Sequence, residues 1–283
     1  MNIALLGDIH ARGKDLYRIA GALASAVRIA REKGCERIIQ AGDVFDRYNV
    51  SDRSASVGSI YRAVMDAFGD GVHLHAIVGN HDMAGSGQRD ALEPFDSCWW
   101  SIHRVTTLEI LGNGTAILYI PWGCNPQEPI SDDVGIGAWH NAKRRLIVAH
   151  CEIAGSVTNT DRMMTGHGFC LDKEWIRSLN PDVVALGHIH LRQDLGLGKV
   201  WGGYLGSLVQ TGFGEGLNYE PGKDRGHQPQ GFAIWDTESN TVEWIDLDTP
   251  KYWTIPAEWY PEIRAQIPAG DLIRIIGDVP PSE

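Results

Sequence analysis

Apolar positions first appear as a short run, Ile3-Ala4-Leu5-Leu6, which stops at Gly7-Asp8. Four apolar residues bounded by a turn signal predict a buried strand. From residue 15 the period changes. Leu16, Ile19, Ala20, Leu23, Val27 and Ala30 recur at helical spacing, and Gly34 follows them. That pattern predicts a helix over 15–33 with a glycine stop. Strand-like runs return at 37–40, 72–78, 146–149 and 183–186. Between them lie a helical stripe at 54–68 and a short helix at 171–179, ended by Asn180-Pro181. Residues 107–120 form a hairpin pattern around Asn113-Gly114, a pair suited to the two positive-φ positions of a type I′ turn. Beyond residue 199 the pattern is all strand, over 199–205, 231–236 and 241–247. Residues 211–231, rich in glycine, proline and charge, read as a long loop.

Parallel strands joined by helices, then antiparallel strands, predict an α/β fold with two packed sheets and helices outside. Residues 1–247 are expected to form the main domain, and 248–283 a linker with a short C-terminal extension. The stripe Val57, Ile60, Tyr61, Val64, Met65 and Phe68 on the second helix reads most simply as a core-facing surface.

Composition narrows the classes. The 283 residues, 43% hydrophobic and 22% charged, suit one large domain or one domain with an appendage. No run approaches the ~18 apolar residues of a membrane span. The N-terminus lacks the basic region and small-residue cleavage site of a signal peptide, so a cytoplasmic protein is expected. Cys35, Cys98, Cys124, Cys151 and Cys170 are dispersed without a C-x-x-C pair, which argues for reduced thiols over a disulfide framework or a structural zinc site. The formal charge of −11 counts against passive nucleic-acid binding, which needs a basic face.

The chemistry lies at the strand ends. Asp8 and His10, Asp43 and Asp46, Asn80 and His81, His150, and His188 and His190 each follow an inferred strand. Strand C-terminal ends share one edge of a parallel sheet, so these residues are expected to meet there. Gly7, Gly42, Gly79 and Gly187 precede them and are expected to let the backbone turn sharply. Carboxylates, imidazoles and one amide, with no thiolate, suit Mn²⁺, Fe²⁺, Zn²⁺ or Mg²⁺. Seven ligands exceed what one open ion needs and fit two ions, about 3.5–4 Å apart, sharing a carboxylate.

The ordered set D-x-H, G-D-x-x-D, G-N-H-D, an isolated His, then G-H-x-H resembles the signature of the calcineurin-like metallophosphoesterases. The resemblance implies a four-layer αββα sandwich. It assigns Asp8, His10, Asp43 and His190 to one metal, and Asp43, Asn80, His150 and His188 to the other. It makes His81 an acid or charge stabiliser over the phosphate, oriented by the carboxylate of Asp46. Imidazoles as a class can protonate a departing alkoxide. Asp82 reads as a loop-capping residue.

Other stretches are more local. Gly42-Asp43-Val44-Phe45-Asp46, Ala185-Leu186-Gly187-His188-Ile189-His190 with Gln193, and Tyr204-Leu205-Gly206-Ser207 with Phe213-Gly214-Glu215 and Gly231-Phe232 resemble SbcD-type nucleases, relatives of the meiotic-recombination-eleven family. The resemblance covers roughly residues 1–247. It implies a Mn²⁺-dependent DNA exo- or endonuclease of a repair or recombination complex. It also implies a homodimer, with the second helix a candidate interface, and an SMC-like coiled-coil ATPase partner of the SbcC type. Ile9 departs from the usual aromatic or Thr, and no capping domain is recognisable after Pro250, which suggests a shortened or minimal subunit. A small-substrate phosphodiesterase or phosphatase is the alternative. Asp46-Arg47 resembles the D-R of phosphoprotein phosphatases, although Tyr48 stands where they carry Gly. Arg12, Lys14, Arg47, Arg89 and Arg162 lie in or near the motif loops, and Arg12 and Arg47 are the first candidates for phosphate contact.

Overall fold

The computed structural model describes residues 1–50, 54–69, 73–85, 89–96, 100–158, 168–218 and 229–277. Cys98, Arg162 and much of the loop expected at 211–231 lie outside these residues. The first strands alternate with helices: β1 (Asn2–Leu6), α1 (Leu16–Glu32), β2 (Cys35–Gln40), α2 (Val57–Phe68), β3 (His73–Ile77) and β4 (Trp100–His103). The second group comprises β5 (Thr107–Ile110), β6 (Thr115–Ile120), α3 (Asp133–Asn141), β7 (Arg144–His150), α4 (Lys173–Ser178), β8 (Val183–Gly187), β9 (Gln193–Asp194) and β10 (Trp201–Tyr204). Then come β11 (Leu217–Asn218), β12 (Gly231–Asp236), β13 (Thr241–Asp246), β14 (Tyr252–Pro256), the single turn α5 (Tyr260–Ile263) and β15 (Leu272–Ile276).

Two six-stranded sheets result, ordered β13-β12-β1-β2-β3-β4 and β5-β6-β7-β8-β10-β9. Both are mixed. Strands β1 to β4 pair in parallel and β12 and β13 close that sheet antiparallel. In the other, β6, β7, β8 and β10 are parallel, flanked by antiparallel β5 and β9.

The near-continuous apolar strands make sense because both faces are covered. Ile3 and Leu5 of β1 join Ile39, Ile77, Ile117, Val148 and Ala185 in a core between the sheets. Ala4 and Leu6, one residue out of phase, pack with Leu23 and Val27 of α1 and Ile60 and Val64 of α2. On the other side Leu118, Ile147 and Val184 pack with Trp139 of α3 and Ile176 of α4. The expected sandwich is therefore present: two mixed sheets flanked by helices.

Local differences have physical causes. The 107–120 hairpin forms, but Gly114 has φ +82° and Asn113 is not among the residues with positive φ, so the turn is not type I′. Gly114 N–H donates to Leu111 O at 2.9 Å and Leu111 N–H to Thr115 O at 2.8 Å, closing a wider loop with one left-handed residue. Helix α3 escaped the pattern because Gly135 and Gly137 interrupt it. Its start is made by Asp132, whose carboxylate caps Gly135 N–H at 2.6 Å. Along α2, Ile60, Val64 and Phe68 are buried as expected, whereas Val57 and Met65 are exposed.

Strands β11, β14 and β15 form a third, parallel sheet. It is tied to the main body at Gln210, whose Oε1 accepts from Tyr252 N–H at 2.7 Å. Arg18 of α1 donates to the Gln210 carbonyl at 2.9 Å and to the Tyr252 hydroxyl at 3.0 Å. No helix among the described residues is long and apolar enough to cross a membrane.

Candidate metal centre

Strands β1, β2, β3, β7 and β8 deliver their C-terminal ends to one edge, and the loops there are laced together. Ile9 and His10 N–H both donate to the Asp43 carbonyl at 3.0 Å, and Asp8 bridges to Ser207 after β10. Asp82 is the loop cap expected of it. Its buried carboxylate accepts Phe45 N–H at 2.9 Å, Gly79 N–H at 3.1 Å and Val44 N–H at 3.3 Å. Burial, then the nearby Asp43 charge, pushes its pKa up to about 7.

The backbone is strained where the side chains converge. His10, Asp43 and His188 have φ of 51°, 57° and 90°, a region non-glycine residues rarely visit. Of the four glycines expected to provide sharp turns, Gly42 does so, at φ +93°. Gly7, Gly79 and Gly187 serve a different purpose. An added Cβ would lie 2.0 Å from the Gly206 carbonyl, 2.1 Å from Asp43 Oδ1 and 2.1 Å from the Ala41 carbonyl respectively. They leave room for neighbouring chain.

The expected ligands gather. Asp8, His10 and His190 form one group with donor atoms within 4.8 Å of one another; Asp8, Asp43 and His150 form another. Asp43 Oδ2 stands 3.2 Å from His150 Nε2 and 3.7 Å from His10 Nε2, between two histidine clusters. On one side His10 Nε2 and His190 Nε2 face each other at 2.8 Å. On the other, Asn80 Oδ1 lies 3.0 Å from His150 Nε2 and 2.9 Å from His188 Nδ1. His150 Nδ1 donates to the Ala41 carbonyl at 2.7 Å, which leaves Nε2 directed at Asp43.

Electrostatics follow from burial of mixed charges. Burial raises Asp8 to about 6, against the pull of His150 and His190. Burial would raise Asp43 too, but His150 and His10 hold it below the usual carboxylate range. His150 rises to about 9 because Asp43 outweighs its own desolvation. Burial, with His150 beside it, lowers His188 to about 3. His10 is lowered well below its usual value by burial and then by His190.

The family model for calcineurin-like phosphoesterases matches residues 1–192. The chain belongs to this family. It is a phosphoester hydrolase by membership, and its solved neighbours share the fold at low identity. A dimetal phosphatase from Danio rerio is 13% identical with a TM-score of 0.50, covering 83% of this chain and 91% of that one. GAP50, the anchor in the inner membrane complex of Plasmodium, is 12% identical with a TM-score of 0.51, covering 99% and 98%. An archaeal phosphodiesterase is 14% identical with a TM-score of 0.40, covering 87% and 100%. No curated protein matches the sequence.

The family uses divalent metals, and the donors of this phosphoesterase fit them. Buried Asp8 and Asp43 face imidazole nitrogens, two of those nitrogens confront each other, and buried His10 Nδ1 has no hydrogen-bond partner. Such a set is stabilised by a cation between its members.

Around it, His81 places its ring 4.8 Å from His10, edge to face. Its Nδ1 donates to the backbone carbonyl of Asp46 at 2.7 Å, so the expected orienting carboxylate is replaced by a peptide oxygen. The Asp46 carboxylate instead receives Arg12 at 3.0 Å and Arg47 at 3.3 Å. Arg12 is largely buried, bonded also to Asp15 and the Thr211 carbonyl, whereas Arg47 is exposed. Arg89 pairs with Glu93 at the surface.

Three neighbours lie outside the metal motifs, and of these only Glu215 belonged to the SbcD-like pattern. Glu152 Oε1 lies 3.7 Å from His188 Nε2, and Trp122 lies 4.7 Å from the His188 ring. Glu215 Oε1 accepts from His190 Nδ1 at 2.6 Å. Glu152 was within reach as the second residue after His150. Trp122 follows β6, a strand end without a ligand, and carried no signal.

Proposed function

We propose that this phosphoesterase is a Mn²⁺-dependent nuclease that cleaves DNA phosphodiester bonds with two cations. Asp8, His10, Asp43 and His190 would hold one cation, and Asp43, Asn80, His150 and His188 the other. Bound there, the pair would supply charge to polarise the phosphoryl group and lower the pKa of an attacking water. The protein's own contribution is placement and proton transfer. His81 is fixed through Nδ1 to the Asp46 carbonyl beside His10 and Asp43, and its other ring nitrogen would pass a proton to the leaving oxygen. Exposed Arg47 is the better placed of the two candidate arginines to meet a phosphate.

The observation that carries the nuclease reading is the position of Ser207 and Glu215. Both belong to the SbcD-like pattern outside the metal motifs, yet Ser207 bridges to Asp8 and Glu215 bonds His190. That part of the resemblance therefore touches the ligands. Purified protein with Mn²⁺ or Mg²⁺ is tested on 3′- and 5′-labelled duplex, a DNA hairpin and a chromogenic monoester. Mn²⁺-dependent shortening of DNA with an inert monoester supports the reading. Rapid monoester turnover with intact DNA overturns it.

That second outcome fits a small-substrate phosphodiesterase or phosphatase, which the net charge of −11 favours over a polyanionic substrate. The nuclease reading assigns DNA affinity largely to an SMC-like ATPase partner of the SbcC type. It also expects a homodimer through α2, where Val57 and Met65 are exposed. Light scattering of the protein alone and co-elution with such an ATPase test these two associations.

A further inference from the structure

Three imidazoles of the centre differ in what holds the nitrogen turned away from the cluster. His150 Nδ1 is held by the Ala41 carbonyl and His81 Nδ1 by the Asp46 carbonyl, both neutral peptide oxygens. His190 Nδ1 is held by a carboxylate, Glu215 Oε1, at 2.6 Å. Glu215 is buried to 9% side-chain exposure, and its other donors come from one turn. Oε2 accepts Thr211 N–H at 2.8 Å and the Ser207 hydroxyl at 3.3 Å, and the Thr211 hydroxyl donates to Oε1. The turn is fixed in its own right, because Gln210 Nε2 donates to the Glu215 carbonyl at 3.0 Å. Four donors converge on two carboxylate oxygens, so the carboxylate is built to remain ionised in one orientation. His190 is fixed from its backbone as well, its carbonyl accepting Ser207 N–H at 3.1 Å.

We propose that Glu215 is the positioning residue of His190: it fixes the Nδ1–H tautomer, aims Nε2 at the cation shared with Asp8 and His10, and strengthens that nitrogen as a donor. A ligating histidine takes up basicity from a carboxylate on its far nitrogen, which a peptide oxygen supplies less strongly. The consequence is asymmetry. The cation beside His190 gains a carboxylate hydrogen-bonded to its ligand's far nitrogen, whereas on the side of His150 and His188 the nearest such group, Glu152, stands 3.7 Å from His188 Nε2, beyond hydrogen-bond distance. The inference rests on the two-cation reading of the site and is indifferent to whether the substrate is DNA or a small ester.

Mn²⁺ binding to the full chain, followed by calorimetry and by the EPR signal of free Mn²⁺, tests it without reference to turnover. Wild-type protein is expected to take up two ions. E215Q keeps an acceptor for His190 but loses the charge, and is expected to weaken one of the two ions about 10- to 100-fold while leaving the other unchanged. E215A is expected to weaken the same ion further. Thr211→Val removes one of the four donors to the carboxylate but leaves its charge and its bond to His190 in place, and is expected to stay within about threefold of wild type. Both affinities unchanged in folded E215Q and E215A would overturn the proposal while leaving the two-cation centre standing. Equal losses in Thr211→Val and E215Q would overturn it in favour of a purely structural turn. Failure of the wild type to bind Mn²⁺ would overturn the centre itself and the proposal with it.

Discussion

The same two sheets enclose two buried groups of histidines, and the contrast between them separates a site from a structural network. At the strand ends, His10, His150, His188 and His190 surround two carboxylates, with strained backbone and an unpartnered ring nitrogen. Where β4 and β5 close the sandwich, His75 and His103 lie with Arg37, Glu109 and Tyr119. His75 Nδ1 lies 3.0 Å from His103 Nε2, and Arg37 donates to His75 Nε2 and, at 2.7 Å, to Glu109. Tyr119 donates to Glu109 at 2.9 Å and stacks on His103 at 3.8 Å. This second group brings its own cation, Arg37, and its hydrogen bonds close. The first group brings excess donors and no arginine or lysine among them. A buried histidine cluster marks a metal centre when the protein withholds the counter-charge.

The largest expected effect comes from removing the shared carboxylate. Asp43→Asn should lower phosphodiester hydrolysis by about 10³-fold, since it weakens both cations, where loss of one catalytic donor alone costs roughly 10²–10³. The steady-state rate on a chromogenic diester measures this, and a residual rate within tenfold of wild type would break the comparison. His81→Ala should cost roughly 10² in kcat by the usual contribution of a positioned acid. Mn²⁺ stoichiometry should stay at two. A parallel fall in bound Mn²⁺ would show that His81 is a ligand.

The second group predicts acid sensitivity. Burial, with Arg37 adjacent, lowers His75 from 6.5 to about 3, and burial lowers His103 to about 4 despite the Glu109 charge. The unfolded imidazoles bind protons as pH falls below about 6.5, before the folded ones do. Acid therefore favours the unfolded chain, by up to about 1.4 kcal/mol per pH unit for each histidine, and this loss ends near the folded values. Urea melts between pH 7 and 4.5 measure the slope. His75→Phe should flatten it and leave the Mn²⁺ stoichiometry untouched. A slope identical to wild type would show that other groups dominate. The smallest effect is at Asp82→Asn, which keeps one oxygen acceptor for the loop N–H groups and should cost roughly 1 kcal/mol in denaturant midpoints at pH 7.

The sheets and the ligand order were legible because most ligands closely follow an apolar run, and β1, β7 and β8 are apolar on both faces. What could not be read is contact between distant loops. Glu215 lies 25 residues from His190, in a stretch with no periodicity. The true partner of His81 is a main-chain oxygen, which no residue type announces. Gly7, Gly79 and Gly187 were recognisable as necessary, but a letter does not distinguish a turn from a close approach. The third sheet stayed hidden because β14 is a short aromatic run ending in Pro256, and its parallel partner β15 returns only after an intervening turn.

Tyr252, at the head of β14, is one end of a relay: its N–H holds Gln210, Gln210 holds the Glu215 carbonyl, and Glu215 holds His190. A protease nick between Pro250 and Tyr252 would therefore be felt inside the pocket, although the severed bond lies some sixty residues downstream of that histidine. The tail is thereby joined, through two side chains, to the imidazole it helps to seat.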